Sequence, residues 1–502
     1  MHIIQVGYNP SVAKLYHADD KAKGRVSALL SYRVEGYEFT NAGARGWDGI
    51  STFFNWGPAT FPRGFVDDVE AALKADGYEV QRVCRPLPEP LGPTHPVVDT
   101  FGDDPRYDYQ REAVERLLQR GMCVARLATG GGKSRVAKLA VARIARPALF
   151  VTTRKVLMYQ MHRSFEESGM ACGVMGDGEW DPSPALNVAM IPTLAQRLAC
   201  PEPYDESAAA MRQRRIRDKT VAFLENVQFL IGEEAHESGG NSYYEFIRHC
   251  RRAEYRLALT ATPFMREDDE ANMRLKAAFG PIGIEVGEKL LIERGILSRP
   301  IFKFITHKTS SRLLTRGTPY QRAVELGIVE DATRNQRIIE EVVRGASYGL
   351  TAMVLVVRKA HGEILQEAFE KVGLRSRYIY GDKNQRERDE ALGLLRAGKI
   401  DVLIGTNILD VGVDVPAVGM VVIAGGGKAE VAHRQRIGRG LREKKSGPNV
   451  CLVVDFKDES NRHLRKHALS RFEIVSQTPG FAENILKGDE DFDYEALGFQ
   501  RT

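Results

Sequence analysis

Three consecutive glycines followed by a lysine and a serine, in Ala128-Thr129-Gly130-Gly131-Gly132-Lys133-Ser134, constrain this chain more than any other stretch. They close an apolar-rich run over residues 122–127 and open a helical pattern over 135–144, so a strand passes to a helix through a loop that is mostly glycine. Such a loop turns tightly and aims successive backbone N–H groups at one point, where the helix N-terminus adds a favourable field for a polyphosphate. Thr129, Gly130, Gly131 and Gly132 then line the phosphates, Lys133 reaches the outer ones, and the Ser134 hydroxyl holds a magnesium ion. One position departs from the full pattern, which asks for a glycine five residues before Gly132, where Leu127 stands. Taken alone, the stretch leaves open a flexible glycine turn that precedes a lysine.

At 502 residues the chain is too long for one ordinary core, and its length suggests about three domains. With 43% hydrophobic and 27% charged residues it reads as globular rather than disordered. A net charge of +5 permits a nucleic-acid partner without requiring one. The six cysteines stand far apart with no CxxC pair, which indicates neither a zinc site nor a disulfide framework and suits a reducing cytosol. No basic segment followed by an apolar one opens the chain and no apolar run reaches spanning length, so neither secretion nor membrane insertion is expected.

Short alternating apolar runs with aromatic and glycine punctuation, and an amphipathic helix over 66–74, predict a small α+β module over residues 1–85. Pro86, Pro88, Pro90, Pro93 and Pro96 make 86–104 a linker, because proline continues neither a helix nor a central strand. Over 105–292, strands expected at 124–127, 149–152, 188–191, 229–231 and 256–259 alternate with helical patterns. That alternation implies an α/β domain with a parallel sheet covered on both faces. It restarts over 293–475, with strands expected at 352–357, 376–379, 402–405, 418–423 and 450–456. The arginine-rich run 212–217 reads as an exposed helix. The tail, 476–502, carries an acidic stretch over 488–494 that is expected to be disordered or loosely docked.

About a hundred residues after the glycine loop, Glu233-Glu234-Ala235-His236 follows an apolar strand. Ligands of open parallel sheets sit at the carboxyl ends of strands, so this pair is placed to face the same nucleotide as Lys133. One carboxylate can hold magnesium, directly or through water, while the next orients the water that attacks the γ-phosphate. Thr260-Ala261-Thr262-Pro263 follows the next strand. In the second α/β domain come Thr406, Asp410, Gly412 and Asp414, then Gln435-Arg436-Ile437-Gly438-Arg439-Gly440-Leu441-Arg442. Arginines three apart share one helical face and can reach phosphate oxygens together. Each segment alone has a plainer reading: an acidic helix start, a capped turn, a salt-bridged surface helix. Their order along the chain argues against those readings as a set.

The series ATGGGKS, EEAH, TATP, GTNILDVGVDVP and QRIGRGLR resembles the superfamily two helicases and translocases over residues 106–456. The resemblance implies two tandem RecA-like domains that bind ATP and magnesium. It assigns Gln110 to the adenine, Glu234 to catalysis, Glu233 to magnesium, and His236, Thr260 and Thr262 to coupling ATP state to motion. It assigns Asp414 to the nucleotide, Arg439 and Arg442 with Gln435 to the arginine-finger block, and Thr153, Arg154, Gln160 and Thr406 to a nucleic-acid strand. One departure stands out: Glu233 occupies the place of an aspartate in the family's DExH box, which lengthens the side chain by a methylene and alters the geometry at the metal.

Residues 25–83, with Gly46-Trp47-Asp48-Gly49 and Phe61-Pro62-Arg63-Gly64, are similar to the N-terminal domain of UvsW-type phage recombination helicases. That likeness implies a module that assists DNA binding, with Trp47 and Arg63 as contacts. It further implies a monomeric enzyme of the bacterial or phage-infected cytoplasm that remodels branched DNA, with RNA encountered in R-loops. Two readings compete: an RNA-directed or transcription-linked ATPase built on the same motor, and a nucleic-acid clamp that binds ATP with little turnover. Arg462, Arg465, Lys466 and Arg471 are expected either to touch nucleic acid or to form a solvated helix face.

Overall fold

A computed structural model describes residues 3–501 except 35, 40, 42–44, 101, 103, 235–240, 263–268, 310, 382–384, 407–417, 428–436, 439, 445, 446 and 489. It divides into two compact units, Met1–Leu127 with Gly132–Glu285, and Ala128–Gly131 with Val286–Thr502. No helix among the described residues is long and apolar enough to cross a membrane.

The first unit opens with a small α+β module. Strands β1 (Ile3–Tyr8) and β2 (Val12–Tyr16) form an antiparallel pair, β3 (Ser31–Arg33) pairs with β4 (Ile50–Thr52), and β5 (Thr60–Pro62) and β6 (Glu79–Cys84) complete a sheet of order β5-β2-β1-β6. Alternation along β1 and β2 turns Ile4, Val6, Ala13 and Leu15 inward. There they meet Val26 of the helix Asp20–Leu29 and Val66, Val69 and Leu73 of the helix Val66–Ala75.

This module is fastened to the α/β domain behind it. Ala277 of the helix Asp269–Phe279 belongs to the module's core. A Cβ on Gly64 would lie 1.9 Å from the Lys276 carbonyl oxygen, so only glycine permits the close approach. Arg63, expected to touch nucleic acid, is instead 6% exposed and donates to the Glu254 carboxylate at 3.1 Å. Its charge is consumed inside the unit, which removes it from the surface. Arg256, fully buried, donates to the Ser11 hydroxyl at 2.9 Å and to the carbonyls of Ala253, Cys250 and Ala278. Between β6 and Pro105 the chain forms no helix or strand among its described residues, yet the Leu91 and Gly92 amides donate to Ile144 and Arg143 at 3.1 Å.

The α/β domain of this unit carries β7 (Met122–Leu127), β8 (Ala148–Thr152), β9 (Gly173–Gly176), β10 (Glu179–Asp181), β11 (Leu186–Met190), β12 (Phe229–Glu233), β13 (Tyr255–Thr260) and β14 (Ile282–Val286). They form one sheet of order β10-β9-β11-β8-β12-β13-β7-β14, in which β9, β11, β8, β12, β13 and β7 run parallel. Buried on both faces, β7, β8, β12 and β13 are nearly continuous apolar runs. The residue Ile191, expected to end a strand, begins the helix Ile191–Leu198. The arginine run lies in the helix Ala208–Asn226, where Arg212 and Arg215 are exposed.

The second unit holds β15 (Arg299–His307), β16 (Ala352–Leu355), β17 (Ser376–Ile379), β18 (Val402–Gly405), β19 (Met420–Ile423) and β20 (Val450–Asp458), all parallel in the order β15-β20-β19-β16-β18-β17. The acidic tail is a correction. Phe492, Tyr494 and Phe499 are at most 6% exposed and belong to the core of this sheet, with Tyr494 stacked on Tyr348 at 4.4 Å. Asp491 pairs with Lys303 and Arg344, so the tail's negative charge is partnered rather than repelled. Arg471 is likewise 2% exposed and paired with Asp455, and offers nothing to a surface.

His361 lies buried in this unit with Nε2 2.9 Å from Asn335 Oδ1, and burial together with the Arg334 cation pushes its pKa down to about 3. The unfolded chain takes up this proton near the ordinary imidazole value, about 6.5, while the folded chain stays neutral far below it. Stability therefore falls as pH drops from about 6.5 towards 3, by up to about 1.4 kcal/mol per pH unit for this group. Urea melts of wild type and His361→Gln from pH 7 to 4 should show the wild type losing stability more steeply on acidification; parallel profiles would count against this assignment.

Candidate nucleotide site

The strand register of the first unit gathers the chemistry at one sheet edge. Glu233 stands opposite Leu259 on β13, and Thr260 opposite Arg126 on β7. The glycine loop after Leu127, Glu234 after β12 and Thr262 after β13 therefore leave the sheet on the same side. Thr153 and Arg154 leave β8 there too, and Arg154 is exposed, as is Gln160 on the helix Lys155–Glu167.

The loop earns its glycines. Gly130 has φ +89° and Gly132 φ +80°, left-handed values that L side chains rarely adopt. The helix Lys133–Ile144 starts directly after Gly132 with no side chain capping it, and Ser134 in its first turn is exposed. First-turn amides and a helix dipole thus meet at the loop, the arrangement that suits an anion. Gln110, 1% exposed on the helix Asp108–Arg120, packs against the loop, where a Cβ on Gly132 would fall 2.2 Å from its Nε2. Arg135 donates to Gln110 Oε1 at 2.6 Å and to Asp99 at 2.7 Å, and so fixes the glutamine amide. Arg135 also lines a groove of about 520 Å³ with Asp104, Tyr107, Asp108 and Arg111. The sequence reading overlooked Arg135, although its place two residues beyond Lys133 was the available signal.

Lys133 Nζ lies 3.0 Å from Glu234 Oε1, with both side chains 14% exposed. Glu234 takes a left-handed backbone, φ +47°, as the chain exits the buried strand β12. Such a conformation in a residue with a side chain is a local cost that clusters at functional sites. Its neighbour Glu233 is buried, and burial followed by the charge of Glu234 pushes its pKa up to about 8. Glu233 Oε2 and Thr262 Oγ1 are buried without a hydrogen-bond partner, and the Thr262 amide donates to Thr260 Oγ1 at 3.2 Å.

This donor set fits magnesium and a triphosphate. A buried carboxylate oxygen with no donor, beside a second carboxylate, is satisfied by a divalent cation or its water shell. Among the described residues no group of three or more His, Cys, Asp or Glu side chains gathers.

In the second unit Thr406 follows β18, its amide 3.2 Å from the Ile379 carbonyl, and Arg442 is exposed with its backbone paired to Leu297. His236, Asp414, Gln435 and Arg439 lie outside the described residues. In the N-terminal module Trp47 is half-buried. Its indole donates to the Ile50 carbonyl at 3.0 Å and meets Tyr37 edge-on.

Residues 105–265 match the family model described as the type III restriction enzyme res subunit, and residues 334–444 match the helicase conserved C-terminal domain. UvrABC system protein B of Chlorobium limicola is 30% identical over 129 residues, 26% of this chain and 19% of its own. The chain thus spans about a fifth of that curated relative. The crystal structure of the DUF1998 helicase MrfA bound to DNA aligns at 16% identity with a TM-score of 0.54, covering 77% of this chain and 51% of its own. The T4 UvsW crystal structure covers 96% of this chain and 98% of its own at 17% identity and a TM-score of 0.46.

Gly132→Ala tests the loop directly. An alanine held at φ +80° costs about 1–2 kcal/mol, and its methyl displaces the Gln110 amide. Denaturant melts should show a loss of at least that size together with weaker nucleotide binding, whereas wild-type stability would refute the packing described.

Proposed function

We propose, on the premise that this chain belongs to the superfamily two helicases, that it is an ATP-dependent helicase or translocase that remodels branched DNA: forks, Holliday junctions, D-loops and R-loops. The observation that carries the reading is the Lys133–Glu234 pair at the carboxyl edge of a parallel sheet, beside a glycine loop braced by Gln110.

Each residue has a task. Lys133 holds the outer phosphates and in doing so releases Glu234 from its ion pair. Glu234 then orients a water for attack and accepts its proton. Ser134 and Glu233 would hold magnesium, which would supply charge neutralisation on the phosphate oxygens. Gln110, fixed by Arg135, reads the base. The resemblance gives Arg439, Arg442, Gln435 and Asp414 nucleotide-linked roles, and gives His236, Thr260 and Thr262 the coupling of ATP state to motion. Thr153, Arg154, Gln160 and Thr406 grip one strand through its phosphates, which gives movement without sequence preference. Trp47 remains a contact of the N-terminal module, and Arg63 is withdrawn.

A second reading draws on Glu233. A side chain pushed up to about 8 is protonated at neutral pH and a poor metal ligand, which favours a clamp that binds ATP and turns it over slowly. Magnesium beside it reverses that preference by favouring the carboxylate, and this supports the motor.

ATP hydrolysis measured alone and with single-stranded DNA, duplex, a four-way junction, an R-loop and matched RNA separates the readings. Branched DNA should stimulate hydrolysis most, and Lys133→Ala should abolish it. Stimulation by RNA alone would move the enzyme to RNA-directed or transcription-linked work, and ATP binding without turnover on every substrate would make it a clamp.

A further inference from the structure

At the carboxyl edge of the second unit's sheet the chain leaves β15 at His307 and β20 at Asp458, and the two exits are built into one platform. The first runs through 311–319 into the helix Tyr320–Val324, and the second runs into the helix Arg462–Gln477. Asn461, 1% exposed, joins them. Its side-chain amide donates to the carbonyls of Thr315 at 2.9 Å and Thr318 at 3.0 Å, while its Oδ1 accepts from the His463 amide at 2.8 Å and so caps the helix. The Arg462 amide donates to the Arg316 carbonyl at 3.4 Å, which sets the backbones of two arginines side by side. Leu314, Ala323, Val324 and Leu464 share a small apolar core that packs the two elements together.

The surface of this platform is cationic. Neither 311–320 nor 462–471 contains an aspartate or a glutamate. Arg312, Arg316, Arg462, Arg465 and Lys466 are exposed. At its margin Lys308 and Arg322 are ion-paired, with Glu459 at 3.4 Å and Glu325 at 2.9 Å. On the helix Arg462–Gln477, Arg462, Arg465 and Lys466 recur at the spacing of one face, while Leu464, Ala468 and Ile474 are buried. Arg462 and Arg465 sit in its first turn, where the helix dipole disfavours cations, so helix stability does not select them there.

We infer that this platform is a docking surface for the phosphate backbone of double-stranded DNA. The charge selects a polyanion, and the aromatic side chains decide its form. Single strands are held largely by bases stacking on aromatic rings. Here Tyr320, His463 and His467 are partly buried, and the tyrosine packs edge-on against the two histidines with ring centroids 6.3 and 4.9 Å apart. A duplex keeps its bases inside and offers regularly spaced phosphates, which arginines on a rigid support meet without reading sequence. The platform stands at the same sheet edge as Thr406, which follows β18. Its occupant rests on the DNA reading above; its construction does not.

The test removes exposed charge from each element separately, in Arg312→Gln with Arg316→Gln and in Arg465→Gln with Lys466→Gln. Thermal melts check that each double variant folds as wild type does. Fluorescence anisotropy without nucleotide, using a blunt duplex of about 20 base pairs and one of its strands from about 50 to 200 mM salt, reads the contacts. Each double variant should bind the duplex about tenfold more weakly or worse at the lower salt, with the magnitude of the logarithmic salt slope reduced by about 1–2. Single-strand affinity, and ATP hydrolysis in the absence of DNA, should stay within about twofold of wild type, because neither stacking nor the nucleotide site is touched. Wild-type duplex affinity and slope in either double variant overturns a platform made jointly by loop and helix. Equal losses on duplex and single strand overturn the choice of a duplex. A wild type that binds neither probe defeats the DNA reading of the chain and the docking surface with it.

Discussion

The ion pair between Lys133 and Glu234 is the contact on which the first unit's organisation converges. Lys133 opens the helix after β7, and Glu234 leaves β12, two strands away across the intervening β13. Bringing an amine and a carboxylate together at 3.0 Å over that distance requires three strands in parallel register that end at one edge. The apolar runs that make those strands buried on both faces are what hold the register. A slip by one residue would turn every side chain of a strand to the opposite face.

Around that pair the protein has concentrated costs that a stable fold does not ask for. Glu234 is left-handed without being glycine, Glu233 is buried with an oxygen lacking a donor, and Thr262 keeps a buried hydroxyl without a partner. In the second unit the buried charges are treated differently. Arg334 and Arg471 are paired with Asp458 and Asp455 and donate to the carbonyls of Ala424, Gly427 and Phe456, although Arg334 Nη2 is left without a partner. Buried polar atoms without a partner call for an explanation, and those of Glu233 and Thr262 lie at the candidate nucleotide site.

Much of this was legible in the sequence, for physical reasons that also explain the misses. Strands buried on both faces announce themselves as apolar runs, and each strand expected within the two α/β domains is present. Four others, β9, β10, β14 and β15, were overlooked. β9 is bounded by glycines, β10 is three residues with polar ends, and β15 contains Pro300 and Lys303. Proline is tolerated there because β15 is an edge strand, and Lys303 is buried against Glu341, 38 residues on and 2.6 Å from its amine, and against Asp491 in the tail. No local pattern encodes such a partner. The tail was misjudged by weighing its acids over its aromatics, since Phe492, Tyr494 and Phe499 are what insert it into the core. Arg63 and Arg471 read as surface cations because the carboxylates that bury them, Glu254 and Asp455, are distant or lie on another element. For the site itself, the sequence placed Lys133 and the Glu233-Glu234 pair at the carboxyl ends of strands, and the structure brings Lys133 and Glu234 to 3.0 Å, while their roles come from the resemblance. The support Gln110 receives from Arg135 needed coordinates, because a glutamine's hydrogen bonds leave no trace in composition.

The central claim, that Lys133 and Glu234 form the hydrolytic site and exchange partners when a nucleotide arrives, is tested most directly by Glu234→Gln. The measurement is binding of a non-hydrolysable ATP analogue beside single-turnover hydrolysis of ATP. Releasing Lys133 from its carboxylate should leave nucleotide affinity equal to or tighter than wild type, while removing the base lowers the chemical step by about a hundredfold or more. Hydrolysis at the wild-type rate would contradict the account, because the carboxylate paired with Lys133 would then not be the group that activates water.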